Sequence, residues 1–327
     1  MAGLIDFVST NLLSELSAVK YLQSHGIIPT DLPCQCGANM ALRSRKQRSG
    51  NTTVVWRCSK KDCRSEKSVR SNCCFLAYKR SDGRLRASLT LRKIVEVVYT
   101  WLYFEPTQRK MQKTSKCGSA TVTDWLYLCR EVCSHAIEKA PKLVGTLSKP
   151  VQIDEAYFSG RRKYKKGRLL SGDYGIAHGN TRKNNYGDQV IGPWVLGIYQ
   201  SASNVRFIVV PDRKSTTLLP IISKYVEKGS VVVTDEWAPY NQLNEEGYHH
   251  ETVNHSENYV NPVTGFNTQG VERSWVDAKA MLKKSRHPSN YLQSHLDEVA
   301  WRKMKEGEGG CLIEAFLKDV AKHYKFS

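Results

Sequence analysis

Three acidic residues fall where phosphoryl-transfer chemistry needs them. Asp154 lies in the strand-like run Val151–Phe158, Asp235 closes the apolar run Ser230–Asp235, and Glu272 sits early in a helix-like stretch from about Gly270 to Lys284. In-line attack on a phosphodiester uses two Mg²⁺ ions about 4 Å apart. Mg²⁺ takes hard oxygen ligands, so the protein must supply converging carboxylates. Two neighbouring strands and a helix crossing their sheet can do this. Side chains alternate along a strand. Asp154 therefore shares a face with Gln152 and Ala156, whereas Glu155 points with Ile153 and reads as a supporting or surface group. Asp235 shares parity with Val231 and Val233, which makes Glu236 the weaker choice. On the last helix Val271, Trp275, Ala278 and Leu282 form the apolar stripe, with Glu272 at its edge. Lys279 and Lys283 follow on roughly the face of Glu272 and suit phosphate contacts. A lone Asp at a strand end is usually solvated or caps a turn, so the case rests on all three acids in order.

A second constellation is built from thiols. Cys34-Gln-Cys36-Gly is followed, after a hairpin's length of chain, by Cys58 and Cys63. Four thiolates so arranged can converge on one tetrahedral Zn²⁺. Met40–Arg45 and Thr52–Arg57 read as two strands joined by the turn-prone Gln47–Asn51, which is the layout of a zinc ribbon. A domain this small has little core, and the metal would supply folding energy. The spacing within each pair is irregular, and Cys73 or Cys74 is an alternative ligand. Lys60, Lys61 and Arg64 lie beside the second pair and point to DNA phosphate. The scattered Cys117, Cys129, Cys133 and Cys311 read as small buried hydrophobes.

Between these features, residues 86–140 look helical throughout. Thr107–Lys116, a short turn and Thr121–Lys139 read as helix-turn-helix, with Thr121 and Asp124 as a capping box. Val122, Trp125, Cys129, Val132 and Ala136 share one face. Thr123, Tyr127 and Arg130 share the other, and would enter the major groove if the second helix reads DNA. The competing reading is a plain helical hairpin.

The chain has 327 residues, 40% of them hydrophobic, and a formal net charge of +18. Such a charge suits a polyanion, because Lys and Arg release counterions from phosphates. No apolar run is long enough for a membrane span. The first residues lack the pattern of a secretory signal, which predicts an intracellular chain with reduced thiols. The organisation expected is multidomain α+β: a helix and linker at 1–30, a zinc ribbon at 31–80, a helix-turn-helix at 86–140, a catalytic core at 150–305 where strands alternate with helices, and a C-terminal helix at 306–327. The main boundary is placed at the Pro141–Pro150 stretch.

Three blocks carry a resemblance: VQIDEAYFSGRRKYKKGR, VVVTDEWAPY and VNHSENYVNPVTGFNTQGVERSWVDAKAMLKK. They resemble the acidic blocks of the Merlin transposases of animals and the related IS1016-like and IS1595-type (ISXO2-like) transposases. Asp154, Asp235 and Glu272 then take the DDE positions, with 36 residues between the last two. The resemblance runs back through WRCSKKDCRSEKSVRSNCCF to the ribbon; the Cys34-Gln-Cys36 spacing departs from it. It implies an α/β RNase H-like core, a mixed sheet flanked by helices, with Mg²⁺ or Mn²⁺ dependence and recognition of terminal inverted repeats. It also implies a homodimer that synapses two ends, and His255 and Asn267 as supporting residues near the site. The basic segment holding Arg161, Arg162, Lys163, Lys165 and Lys166 would clamp DNA beside the metals. The expected activity is cut-and-paste transposition. The alternatives are a domesticated DNA-binding protein and a nuclease that cuts without joining. The expected location is the nucleus in a eukaryotic host, with Arg161–Lys166 as an import signal, or the bacterial cytoplasm.

Overall fold

The computed structural model describes residues 3–46, 50, 52–71, 73, 75–77, 89–104, 107–158, 174–176, 190–191, 193–253, 260–261, 264–284 and 291–324. The chain divides into two compact units, Met1–Val132 with Gly310–Ser327, and Cys133–Gly309. Among the described residues no helix is long and apolar enough to cross a membrane.

The first unit opens with two helices, α1 (Leu4–Asn11) and α2 (Glu15–Ser24), where the sequence predicted one helix and a linker. The break is chemical: the Ser14 hydroxyl accepts from the Ser17 N–H and caps α2. Strands β1 (Leu32–Pro33), β2 (Asn39–Lys46), β3 (Thr52–Cys58) and β4 (Glu66–Ser68) then form an antiparallel sheet in chain order. The β2–β3 ladder runs from Met40 opposite Cys58 to Lys46 opposite Thr52. Met40, Val54 and Trp56 bury on this sheet, a core of the small size expected for a ribbon.

The helical region resolves into α3 (Leu91–Phe104), α4 (Gln108–Ser115) and α5 (Ser119–Glu138). The Glu15 carboxylate accepts from the backbone N–H groups of Leu91 and Arg92, at 2.7 and 3.1 Å. A carboxylate at the start of α3 satisfies otherwise orphaned donors and complements the helix dipole. Phe7 stacks on Tyr99 with ring centroids 4.3 Å apart. Trp101 meets the edge of Phe316 in the C-terminal helix Leu312–His323, which is how the chain's end joins this unit. Lys116, in the left-handed region at φ 53°, ends α4 and turns the chain towards α5.

The second unit is a sheet with helices on both faces. Among the described residues its strands are β5 (Val151–Tyr157), then β6 (Tyr174–Ile176) and β7 (Val190–Ile191), which pair with each other, then β8 (Trp194–Ser201), β9 (Asn204–Val210), β10 (Val231–Asp235) and β11 (His249–Val253). The main sheet has the order β11-β10-β5-β8-β9. β5, β8 and β9 are antiparallel neighbours, while β10 lies parallel to both β5 and β11. One face is covered by α6 (Ser215–Tyr225) and a 3-10 turn at Ala238–Leu243, which bury Leu218, Ile222, Tyr240 and Leu243 against Val151, Ile153, Leu196 and Val232. The other face carries α7 (Gln269–Lys284) and α8 (Leu292–Glu308). Gln293 of α8 accepts from the Val209 N–H and donates to the Phe207 carbonyl, occupying backbone groups along the open edge of β9. The Pro141–Pro150 stretch docks on this unit: Leu143 is buried, and the Gly145 carbonyl accepts from the Val231 N–H.

Candidate active site and metal centre

The central strand β5 fixes the first carboxylate. Parallel pairing sets Val232 beside Val151 and Val233 beside Gln152. Continuing that register brings Asp235, at the end of β10, level with Asp154. Val231 and Val233, which share the parity of Asp235, pack with Val253 and Phe266, whereas Val232 packs with Val151 and Ile153 on the opposite face. Both aspartates therefore face the side of the sheet that α7 covers.

The seating of α7 positions the third acid. The Gln152 side-chain carbonyl accepts from the Val271 N–H at 3.0 Å. Gly270 lies so close to the Tyr199 ring and to Gln152 that a Cβ has no room there. Glu272 stands in the first turn of the helix, where the buried Thr268 hydroxyl donates to its Oε1 at 3.2 Å. One turn further on, the Trp275 indole N–H donates to Asp154 Oδ2 at 2.9 Å. The indole reaches it by lying across Gly197, the residue paired with Asp154 on β8.

A Cβ at Gly197 would stand 2.5 Å from Trp275 Cζ2, so Gly197→Ala must push the indole off the sheet. The expected cost is about 1–3 kcal/mol of stability, together with a disordered Asp154. Urea unfolding checks the first effect and DNA cleavage the second. An unchanged midpoint would mean that Trp275 relaxes without loss.

The electrostatics fit a cation site. Burial raises the Asp154 pKa above the ordinary carboxylate value; the indole donor and the Glu155 N–H oppose this, and the charges of Asp235 and Glu272 add to the rise. Asp154, largely desolvated and within Coulomb reach of Asp235 and Glu272, would be relieved by divalent cations with oxygen preference, although the three carboxylates do not all lie within 4.8 Å of one another. These side chains are the right donor set for Mg²⁺ or Mn²⁺.

Glu155 is not a surface group. Its side chain is 2% exposed and accepts a hydrogen bond from the Tyr240 hydroxyl, with the Arg213 guanidinium 3.7 Å away. Burial lifts its pKa to about 7, against the pull of Tyr240 and Arg213. Strand parity placed it correctly opposite Asp154. No sequence signal could reveal that Tyr240 and Arg213, distant in the chain, would enclose it. The same holds for Gly197, whereas Thr268 lies only four residues before Glu272, a local spacing that could have suggested the pair.

Other expected site residues have mixed placements. Asn267 accepts from the Gln269 N–H at 3.2 Å and so builds the turn into α7. Lys279 is exposed on α7, its ammonium 5.4 Å from the Phe158 ring centre. Lys283 lies in the last turn of α7, its side chain outside the described residues, as are His255, Arg161, Arg162, Lys163, Lys165 and Lys166.

In the ribbon, the thiols of Cys34, Cys36, Cys58 and Cys63 all lie within 4.8 Å of one another. Cys34 and Cys63 are 3.7 Å apart, and Cys36 and Cys58 3.5 Å. A tetrahedron with Zn–S bonds of 2.3 Å has edges of about 3.8 Å, so these spacings fit zinc. The Cys36 backbone and the Ser65 hydroxyl hold the Cys34 pKa down at about 6, favouring the thiolate that metal needs. Ser65 also meets Cys63, at 3.4 Å. Cys73 is buried outside this group, and Cys74 lies outside the described residues. Lys60, Lys61 and Arg64 are exposed on the turn between Cys58 and Cys63. Of the scattered thiols, Cys129 and Cys133 are buried as expected, but Cys117 is half-buried and Cys311 exposed.

In α5, Thr123 and Tyr127 are exposed, but Arg130 is buried and does not join their face. The inward stripe is wider than periodicity suggested, because Leu128 and Cys133 bury too. The helix also starts at Ser119, so Thr121 and Asp124 lie within its first turns and not at its N-cap.

Comparison with known proteins agrees with the core. The model of the ISXO2-like transposase domain matches residues 146–303. Over 99 residues, 30% of this chain and 79% of the relative, the sequence is 34% identical to an uncharacterized transposase-like protein of Haemophilus influenzae. Among solved structures the chain is similar to a Mos1 transposase paired-end complex with left transposon end, with 11% identity over 71% of this chain and 79% of that one, at a TM-score of 0.24. It is also similar to a mariner Mos1 paired-end complex with Mg, with 12% identity over 72% and 79%, at a TM-score of 0.27. On the family match and the relative's coverage, this chain belongs to the ISXO2-like, IS1595-type transposases.

Proposed function

We propose that the protein is a DDE transposase that binds terminal inverted repeats, cuts DNA at the transposon ends and joins the freed 3′-hydroxyls to target DNA. The observation that supports this reading is the register of β10 on β5, continued to Asp235 beside Asp154, with the helix that carries Glu272 anchored on β5 through Gln152 and Trp275. The sheet order, with β5 and β10 side by side at its centre, supports an RNase H-like core.

When bound, a pair of Mg²⁺ or Mn²⁺ ions supplies nucleophile activation and charge neutralisation at the leaving oxygen. The chain's own contribution is positioning. Trp275 orients Asp154, Thr268 orients Glu272, and Gln152 anchors the helix that carries both Glu272 and Trp275. A structural Zn²⁺ in the ribbon and a homodimer that holds two ends together complete the proposal. The protein would act in the nucleus of a eukaryotic host or in the cytoplasm of a bacterium.

The test is cleavage and strand transfer on labelled DNA carrying the element's ends, with and without Mg²⁺ or Mn²⁺. Nicked and joined products are expected. Nicks without joining would favour a nuclease, and binding without nicks a DNA-binding protein that has lost its chemistry. Neutralising Arg161, Arg162, Lys163, Lys165 and Lys166 should flatten the salt dependence of DNA binding, by about 0.9 in the log–log slope for each phosphate that is no longer neutralised. An unchanged slope would leave that segment a solvated loop.

A further inference from the structure

At the same end of the sheet as the acidic site, but on the face that α6 covers, stands a cluster that the cleavage chemistry does not use. Trp194 begins β8 and pairs with Tyr157 at the end of β5, their ring centres 5.0 Å apart. The Arg213 guanidinium lies 4.0 Å from the Trp194 ring centre and 4.5 Å from that of Trp237. Its position is fixed from below by the buried Glu155 carboxylate, which Tyr240 holds in turn. Trp237 follows Asp235 by two residues, and its backbone N–H donates to Asp235 Oδ1 at 3.2 Å. The main chain of Trp237 is thus tied to a carboxylate of the site and its ring is backed by a cation, yet the residue remains 40% exposed.

A large ring held flat by a guanidinium and open to solvent offers a stacking surface. Bases inside a duplex have both faces covered by their neighbours. A base released from pairing has a free face, and stacking on an aromatic side chain recovers the stacking it gave up. The guanidinium adds positive charge where the phosphates of that strand would run.

We infer that Trp237, backed by Arg213, is a platform that holds an unpaired base of the DNA end at the strand end that carries Asp235. This rests on the proposed transposase reading and adds to it the form of DNA the site accepts: an end whose terminal pairs are opened. Trp237 sets that preference, and Arg213 and Glu155 are positioning residues for its ring.

The experiment compares binding of two labelled duplexes of one sequence, the first fully paired and the second with its terminal pairs mismatched. It uses the full chain with its zinc, in buffer without added Mg²⁺ or Mn²⁺, so that no cleavage intervenes and the ribbon stays folded. Wild type should prefer the opened end by about fivefold or more, the scale of one base–aromatic stack. Trp237→Ala should lose that preference and bind the paired duplex within about twofold of wild type, since changes at exposed positions are usually small. Trp237→Phe, which keeps a smaller ring, should retain part of the preference. A wild type without preference, or a Trp237→Ala that keeps it, overturns the platform and leaves the transposase reading standing. Failure of wild type to bind either duplex removes that reading and the platform with it.

Discussion

Asp154→Asn abolishes metal-dependent DNA cleavage and joining while DNA binding persists, and in metal-free buffer the same substitution makes the protein more stable. The loss expected is at least about a hundredfold in rate, the order seen when one preorganised electrostatic group is removed. Asparagine keeps the shape and still offers an oxygen to the Trp275 indole, so the packing of α7 on Gly197 need not change. What it cannot supply is a negative charge. The gain in stability follows from linkage. Burial, helped by Asp235 and Glu272, raises the Asp154 pKa in the folded protein above its unfolded value. The folded state then binds more protons, and stability falls as pH rises from the unfolded value through the folded one. At neutral pH the ionised Asp154 works against folding, and a neutral amide in its place would not. Thermal melting of both proteins, with and without Mg²⁺, reads this directly. Added Mg²⁺ should raise the melting temperature of the wild type more than that of the variant. If Asp154→Asn still cleaves DNA, Asp154 is not part of the chemistry; if it melts lower without metal, the burial cost of its charge has been misjudged.

Function set against stability also explains which parts of the site could be read from the sequence. The acids announced themselves because their surroundings are regular. Alternation along Val151–Tyr157 and Val231–Asp235 assigns each aspartate to a face, and the register of two parallel strands does the rest. The helix bearing Glu272 was visible from the spacing of Val271, Trp275 and Ala278, all of which are buried. The residues that hold the acids in place were not visible. Gly197, Tyr240 and Arg213 matter through contacts across long stretches of chain, and no local pattern records those. Arg130 shows the opposite failure. Helical periodicity put it on the outer face of α5, but the apolar stripe there is wide enough to bury it. The strand β11 was missed for a related reason. Its sequence, His-His-Glu-Thr-Val, has little apolar alternation, and it sits at an edge of the sheet where only Val253 is buried.

Zinc carries the second large effect. The ribbon sheet has few buried side chains, and its four strands are short except for β2 and β3. Metal-dependent folding of such modules rests on about 10–16 kcal/mol of apparent binding energy, far more than this core can provide by itself. Metal analysis of the purified protein should find a single zinc ion per chain. Cys36→Ser should lower that content, whereas Cys73→Ser should leave it intact, because the Cys73 thiol lies outside the four-thiol group. The pair decides between the two ligand sets that the sequence left open. Strong chelation should unfold the ribbon and weaken DNA binding through Lys60, Lys61 and Arg64, which the turn between Cys58 and Cys63 presents to solvent. The core, a separate unit of the chain, should keep its own melting transition. A zinc content unaffected by Cys36→Ser would move the site elsewhere, and a chelated protein that binds DNA as before would leave the ribbon's basic turn without a part in recognition.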